Sequence, residues 1–302
     1  MRNIAETPLA DLPGMRQMRP FLGATRAELI KIDKRPSVWI LLGVALALLV
    51  LLEYVLYWFL YSHPPHGTAL PAGVTPAQMK APFYPSHMVS TTTQAGTLPG
   101  ALALILGVLL VGSEYGWGTF KTLFTQRPGR LQTLLAKLAA LEIALGAAVV
   151  LFFAVAAMTS IVLALIDGQP AGNLPDGLTI LRAMLASWLV WSWWALFGSA
   201  LAFIFQQSAL AIGLGLAYDF LIEGLLFSFG GALGGDFLHN LERVFPGVNA
   251  TALLNSFFIR APGNAAGGSA VVGAGQATIV LLIYCAAAVV VAGVLVTRRD
   301  IK

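Results

Sequence analysis

A single cysteine, Cys285, rules out an intrachain disulfide and says nothing about redox compartment. Charge is scarce too: Asp, Glu, Lys and Arg make up 11% of the 302 residues, against roughly 25% in an ordinary soluble domain. No G-x-x-x-x-G-K-[ST] loop occurs, so a phosphate cradle of that kind is missing. H-E-x-x-H, C-x-x-C and G-x-S-x-G are also absent, which takes away the standard metal, redox and nucleophile signatures of an enzyme. No internal repeat of fixed period is found.

What the chain has in quantity is apolar sequence, 58% hydrophobic with a mean hydropathy of +0.79. Six apolar segments can be drawn, at 38–60, 96–113, 138–166, 179–204, 209–231 and 271–296. At 1.5 Å per residue, runs of this length cross a hydrocarbon core of about 30 Å. The expectation is an all-α membrane protein with one domain, residues 24–302, and six transmembrane helices, which puts both termini on one side. Lys and Arg near segment ends stay cytoplasmic. With the termini inside, every one of the 18 cations except Lys80, Arg182, Arg243 and Arg260 lies inside. The pattern predicts a multi-pass membrane protein with cytoplasmic termini. Its net charge of +4 then needs no nucleic-acid partner.

Residues 1–23, with Pro8, Pro13, Gly14 and Pro20, read as a flexible cytoplasmic extension. The first apolar run begins near Val38 and is too long for the h-region of a signal peptide. Residues 61–95 carry six prolines from Pro64 to Pro85 and read as an irregular exterior loop. In the exterior stretch 232–270, Phe237, Leu238, Leu241, Val244 and Phe245 recur at helical spacing. Pro246-Gly247 breaks that run, and Thr251 to Ile259 resumes it, so two short helices dipping into the outer interface are expected. Ala261 to Ala270 reads as a linker. His63, His66, His87 and His239 all fall in these exterior stretches; His63-Pro-Pro-His66 lacks an acidic or cysteine companion and is a weak metal site, so no metal is expected.

Glu114-Tyr-Gly-Trp-Gly-Thr-Phe120, followed by Arg127, Arg130 and Lys137, forms a charged, glycine-bearing island between two apolar runs. Gly116 and Gly118 permit a sharp turn, and Thr119 can cap a short helix. Phe120, Leu123 and Phe124 then make an apolar face suited to a groove on a cytosolic partner. The alternative is a helical loop lying on the lipid surface. Residues 24–35, with Arg26, Glu28, Lys31, Lys34 and Arg35 around Leu29, Ile30 and Ile32, describe an interfacial helix with basic residues at headgroups.

Asp219 and Glu223 stand i, i+4 in the fifth apolar segment, where carboxylates cost several kcal/mol unless they face protein or water. They are candidates for a translocation path, with a structural hydrogen bond as the alternative. Glu53 and Glu142 can each lie near a helix end. Tyr54, Tyr57, Trp58 and Tyr61 read as an interfacial aromatic belt. Trp188, Trp191 and Trp194 lie deeper and either line a path or fill space between helices.

These features together resemble the permease subunits of ABC-2 type ABC transporters. Arg26-Ala-Glu-Leu-Ile-Lys31 through Arg35-Pro-Ser-Val-Trp39 is similar to the family's interfacial helix. Glu114-Tyr115-x-x-Gly118-Thr119, with Arg130 and Lys137, is similar to its E-x-x-x-G-T…R…K segment between helices two and three. Phe237 to Phe258 resembles the re-entrant exterior hairpin before helix six. The resemblance implies a half-size permease of the bacterial inner membrane, without a bound cofactor of its own, paired with a second permease copy or paralogue. ATP and Mg would sit on a separate cytosolic ATPase contacted by Glu114, Tyr115, Gly118, Thr119, Phe120, Phe124 and Arg130, and the direction would be export. The alternative is an ATP-independent secondary carrier using Asp219 and Glu223, which would call for inverted repeats that are not evident.

Overall fold

The computed structural model describes residues 13–63, 76–95, 97–116, 129–224, 241–258 and 272–298. Among these, all regular structure is helical. Helix α1 spans Pro13–Asp33. It begins inside the stretch expected to be an extension, because Pro13 fits the first turn of a helix, where its missing N–H is no loss. Helix α2 spans Pro36–Ser62, with Pro36 at its first position and a π-helical stretch at Leu49–Leu56. Short helices α3 (Pro76–Lys80) and α4 (Met88–Gln94) flank two 3₁₀ turns. Then follow α5 (Thr97–Gly116), α6 (Arg130–Ile166), α7 (Gly177–Phe205), α8 (Ser208–Ala217, continuing π-helical to Glu223), α9 (Pro246–Asn255) and α10 (Ala274–Arg298).

Five of these helices, α2, α5, α6, α7 and α10, are long and apolar enough to cross a membrane. The fifth apolar segment is helical from Ser208 to Glu223, and its remainder, 225–231, lies outside the described residues. Helix α6, at 37 residues, starts eight residues before its apolar run. It extends roughly 55 Å at 1.5 Å per residue, beyond the hydrocarbon core at one end or both.

The core is the α5–α7 crossing, the most extensive helix pair, with α10 packed on α7's other side. Small residues let the two backbones meet: a Cβ at Gly107 would collide with the Ala195 carbonyl, and one at Gly198 with the Leu104 carbonyl. Ser199 Oγ donates to the Gly107 carbonyl at 3.1 Å across this contact. Between helices in lipid there is no hydrophobic drive to associate, so close approach and interhelical hydrogen bonds supply the affinity. Helix α7 is the most enclosed span and α2 the least.

Two expectations need correction. Residues 76–95 are not an irregular loop: prolines 76, 82 and 85 each open a helical turn, and Met88 to Thr93 are buried. The buried hydroxyls there are satisfied locally, Thr92 Oγ1 by the Met88 carbonyl at 2.6 Å and Thr93 Oγ1 by that of Val89 at 3.0 Å. Residues 241–242 are helical and a turn at 243–244 parts them from α9, so helix lies on both sides of the expected break; Pro246 takes the first position of α9, which starts there rather than at Thr251, and residues 237–240 of the expected first helix lie outside the described residues. The aromatic belt is largely turned inward: Tyr54 is fully buried with its hydroxyl 3.2 Å from Thr92 Oγ1, Trp58 binds Asp167, and Tyr61 stacks on Phe83, leaving Tyr57 exposed.

Candidate functional site

Four charged side chains from three helices meet at the end of α6 that carries Lys137. Helix α1 supplies Glu28 and Lys31, one turn apart, with Lys31 Nζ 2.5 Å from Glu28 Oε1. The last turn of α5 supplies Glu114, and the second turn of α6 supplies Lys137. Lys137 Nζ donates to Glu28 Oε2 at 3.0 Å and to Glu114 Oε1 at 2.5 Å, while Lys31 Nζ stands 3.8 Å from Glu114 Oε1. The side chains of Lys137, Glu28 and Glu114 are only 2%, 5% and 3% exposed, whereas that of Lys31 is 39% exposed.

Among the described residues these two carboxylates and two ammoniums offset one another, which makes their burial tolerable, since an isolated buried charge would have to neutralise. Burial by itself pushes the Glu28 carboxyl up, but Lys137 and then Lys31 more than offset it and hold it below the usual carboxylate range. The neighbouring elbow is tied in the same way. Arg35 Nη1 donates to the Leu109 carbonyl at 3.2 Å and to Ser113 Oγ at 3.1 Å, placing a cation at the C-terminal end of α5. Trp39 Nε1 donates to the Asp33 carbonyl at 2.8 Å, satisfying an end group of α1. Arg26 lies on the exposed side of α1, away from the cluster.

Of the residues expected to dock on a partner, Glu114 is therefore turned inward. Tyr115 is half-buried and edge-on to Phe203, with centroids 6.2 Å apart, and Arg130 opens α6. Gly118, Thr119, Phe120 and Phe124 lie outside the described residues. The cluster thus flanks segment 117–128 on both sides, through Glu114 before it and Lys137 after it, and binds α1 to both.

The carboxylates expected on a path are separated by environment. Asp219 is half-buried, while Glu223 is buried and faced by the Tyr218 hydroxyl and the Gly247 amide in the first turn of α9. A Cβ on Gly247 would run into the Glu223 carboxylate, so a larger residue there would have to displace that side chain. Trp188 is 37% exposed and its Nε1 donates to the Glu142 carbonyl at 3.2 Å. Trp191 is buried, edge-on to Phe152 at 5.2 Å, and Trp194 fills the space over Gly100. Glu142 is not near a helix end but well inside α6, accepting a hydrogen bond from Ser192 of α7.

A second polar centre, not anticipated from the sequence, sits at the other end of α6. Asp167 follows the helix directly and accepts from Trp58 Nε1 at 2.7 Å, Tyr84 hydroxyl at 2.9 Å and Lys80 Nζ at 3.1 Å. Lys80 also lies over the Trp58 ring, 5.3 Å from its centroid. Partial burial pushes the Asp167 carboxyl up, but these three donors hold it below its ordinary value; burial and Asp167 together push the Tyr84 hydroxyl up to about 12. The usable signal was the lone cation of a proline-rich stretch beside an aspartate ending the longest apolar run. Among the described residues, no three His, Cys, Asp or Glu side chains come together as a metal site.

Charged side chains thus fasten peripheral segments to both ends of one long helix. No curated protein matches the chain. Residues 24–222 match the family described as ABC-2 family transporter protein, and this stretch contains Glu28, Lys31, Glu114 and Lys137. The chain belongs to the ABC-2 family of membrane transporter proteins.

Proposed function

We infer that the chain is the permease subunit of an ATP-driven exporter, with α1, segment 117–128 and both termini cytoplasmic. A separate ATPase subunit binds ATP and Mg, and a second permease copy or paralogue completes the translocation unit. Segment 117–128 presents Phe120 and Phe124 to the ATPase, with Gly118 and Thr119 shaping the turn. The observation that carries the reading is the buried Glu28–Lys31–Glu114–Lys137 cluster, because it joins the helices on both sides of that segment to α1. A push on the segment then moves the ends of α1, α5 and α6 as one body, since breaking the cluster would leave a charge buried alone. The cation split read from the sequence supports the orientation, and family membership supports the partnership. Asp219, half-buried and one turn from the buried Glu223, is the better placed of the two carboxylates to meet a permeant species, with Trp188 and Trp191 on the neighbouring helix α7.

The test is co-expression with the ATPase encoded beside this gene. Phe120→Asp should abolish ATPase co-purification and stimulated turnover while the permease still inserts and melts normally. Normal co-purification and turnover would reduce segment 117–128 to a surface helix. Orientation is checked by single-cysteine labelling on a Cys285→Ser background: external reagent should reach position 80 and not position 121, and the reverse would invert the topology.

A further inference from the structure

A groove of about 350 Å³ runs between the α1–α2 elbow and the faces of α5 and α6, with Trp191 of α7 among its walls. Its existence follows from the sequence of the walls. Along Pro36–Leu48 only Ala45 is buried, so this half of α2 stands off its neighbours rather than packing on them. The facing positions are small, Ala103 on α5 and Ala144, Ala147 and Ala148 on α6, which leaves width. The lining is apolar apart from Asp33, whose side chain is 58% exposed at the elbow, beside the 78% exposed side chain of Lys34. The far wall is formed by Pro99 and Leu151; Leu151 stands roughly 20 Å along α6 from Lys137 at 1.5 Å per residue. That distance takes the groove from the interfacial helix to about the middle of the bilayer.

The groove is open toward the surroundings of a membrane-spanning chain, where an apolar wall meets acyl chains, and it lies within the roughly 300–1,000 Å³ range of small-ligand sites. We propose that the groove is a binding site for one acyl chain of a phospholipid with a primary ammonium headgroup, drawn from the leaflet that bears α1. The apolar walls take the chain. At the mouth, Lys34 Nζ and Asp33 Oδ2 lie 3.8 Å apart, a cation and an anion side by side. An ethanolamine phospholipid carries the complementary pair: its phosphate meets Lys34 and its ammonium donates to Asp33. A glycerol headgroup lacks the cation, and a choline headgroup has no N–H to donate. The site is independent of the ATPase reading.

Full-length protein in nanodiscs of equimolar phosphatidylethanolamine, phosphatidylglycerol and phosphatidylcholine, released into mild detergent, allows retained lipid to be counted by native mass spectrometry. The wild type should keep phosphatidylethanolamine about three- to fivefold over either competitor, the size of effect an exposed ion pair gives. Asp33→Asn should lose the preference while still holding a lipid. Ala148→Trp should release lipid of every class, and Ala144→Leu, a milder filling that preserves folding, should weaken retention in the same direction. Equal retention of the three lipids by the wild type, a preference for phosphatidylglycerol, or undiminished retention by both filling variants would each overturn the proposal.

Discussion

At Lys137 helix α6 is held by two carboxylates that water scarcely reaches; at Asp167, about 45 Å further along at 1.5 Å per residue, it is held by three donors that keep an edge in water. The first clamp is built entirely of formal charge, with Lys137, Glu28 and Glu114 at 5% side-chain exposure or less. The second mixes one ion pair with an indole N–H and a phenol, and its Asp167 and Lys80 side chains are 15% and 17% exposed. The difference teaches where rigidity is placed. A buried charge network fails all at once when a member is lost, because the remaining charge is stranded. A mixed, wetter cluster loses one hydrogen bond at a time.

The largest expected effect is therefore at Lys137. Lys137→Met should destabilise the folded protein by about 3–5 kcal/mol, the usual cost of removing one partner of a buried pair, read as a lower melting temperature in detergent. An unchanged melting temperature would mean that the cluster is solvated and the contrast between the two ends is false. Next comes Asp167→Ala, expected to cost about 2–3 kcal/mol as three hydrogen bonds to a charged acceptor are lost. If that loss equalled the loss at Lys137, burial would not be what separates the clamps.

The pH dependence of the Asp167 clamp sharpens the comparison. Asp167 has a folded value below its ordinary 3.8, so its contribution is complete above pH 3.8 and is lost as pH falls through the lower folded value. Tyr84 moves the other way: raised from 10 to about 12, it contributes fully below pH 10 and is lost as pH rises through about 12. Tyr84→Phe should abolish the alkaline loss and leave the acid limb in place; an alkaline limb that survives in Tyr84→Phe would assign it to another group.

The smallest effect is expected between the clamps, about 8 Å along α6 from Lys137 at 1.5 Å per residue. Glu142 shares a hydrogen bond with Ser192, and no cation faces it among the described residues. Gln keeps an acceptor for Ser192 and removes the charge, so Glu142→Gln should shift stability by less than about 1 kcal/mol. A large loss in the melting temperature would show that the carboxylate itself is required there.

The sequence made the spans legible because long apolar runs and their flanking cations are local signals, and five of the six segments coincide with long apolar helices. It also singled out Glu28 in an interfacial helix, and Glu114 and Lys137 in a charged island between two apolar runs. What it could not provide is that the three share one ion cluster: Lys137 and Glu28 are 109 positions apart, and no periodicity encodes that meeting. The same holds for Asp167 with Trp58 and Lys80. Local rules also misled where proline was read as a mark of irregular loop, since Pro76 and Pro85 open helical turns. Tyr54 and Trp58 were misplaced because a belt and an inward-facing stripe share the same spacing, and only the packing of α4 and Asp167 beneath them decides between the two.

The claim that the charge network at Lys137 is a single unit can be tested by comparing the melting temperature of Lys137→Met with that of the triple variant Glu28→Gln, Glu114→Gln, Lys137→Met. Lys31 needs no change, because its half-exposed ammonium can turn to water. The account predicts that the triple variant recovers most of the loss, since no charge is left stranded in the interior. A triple variant as unstable as Lys137→Met, or less stable, would contradict it.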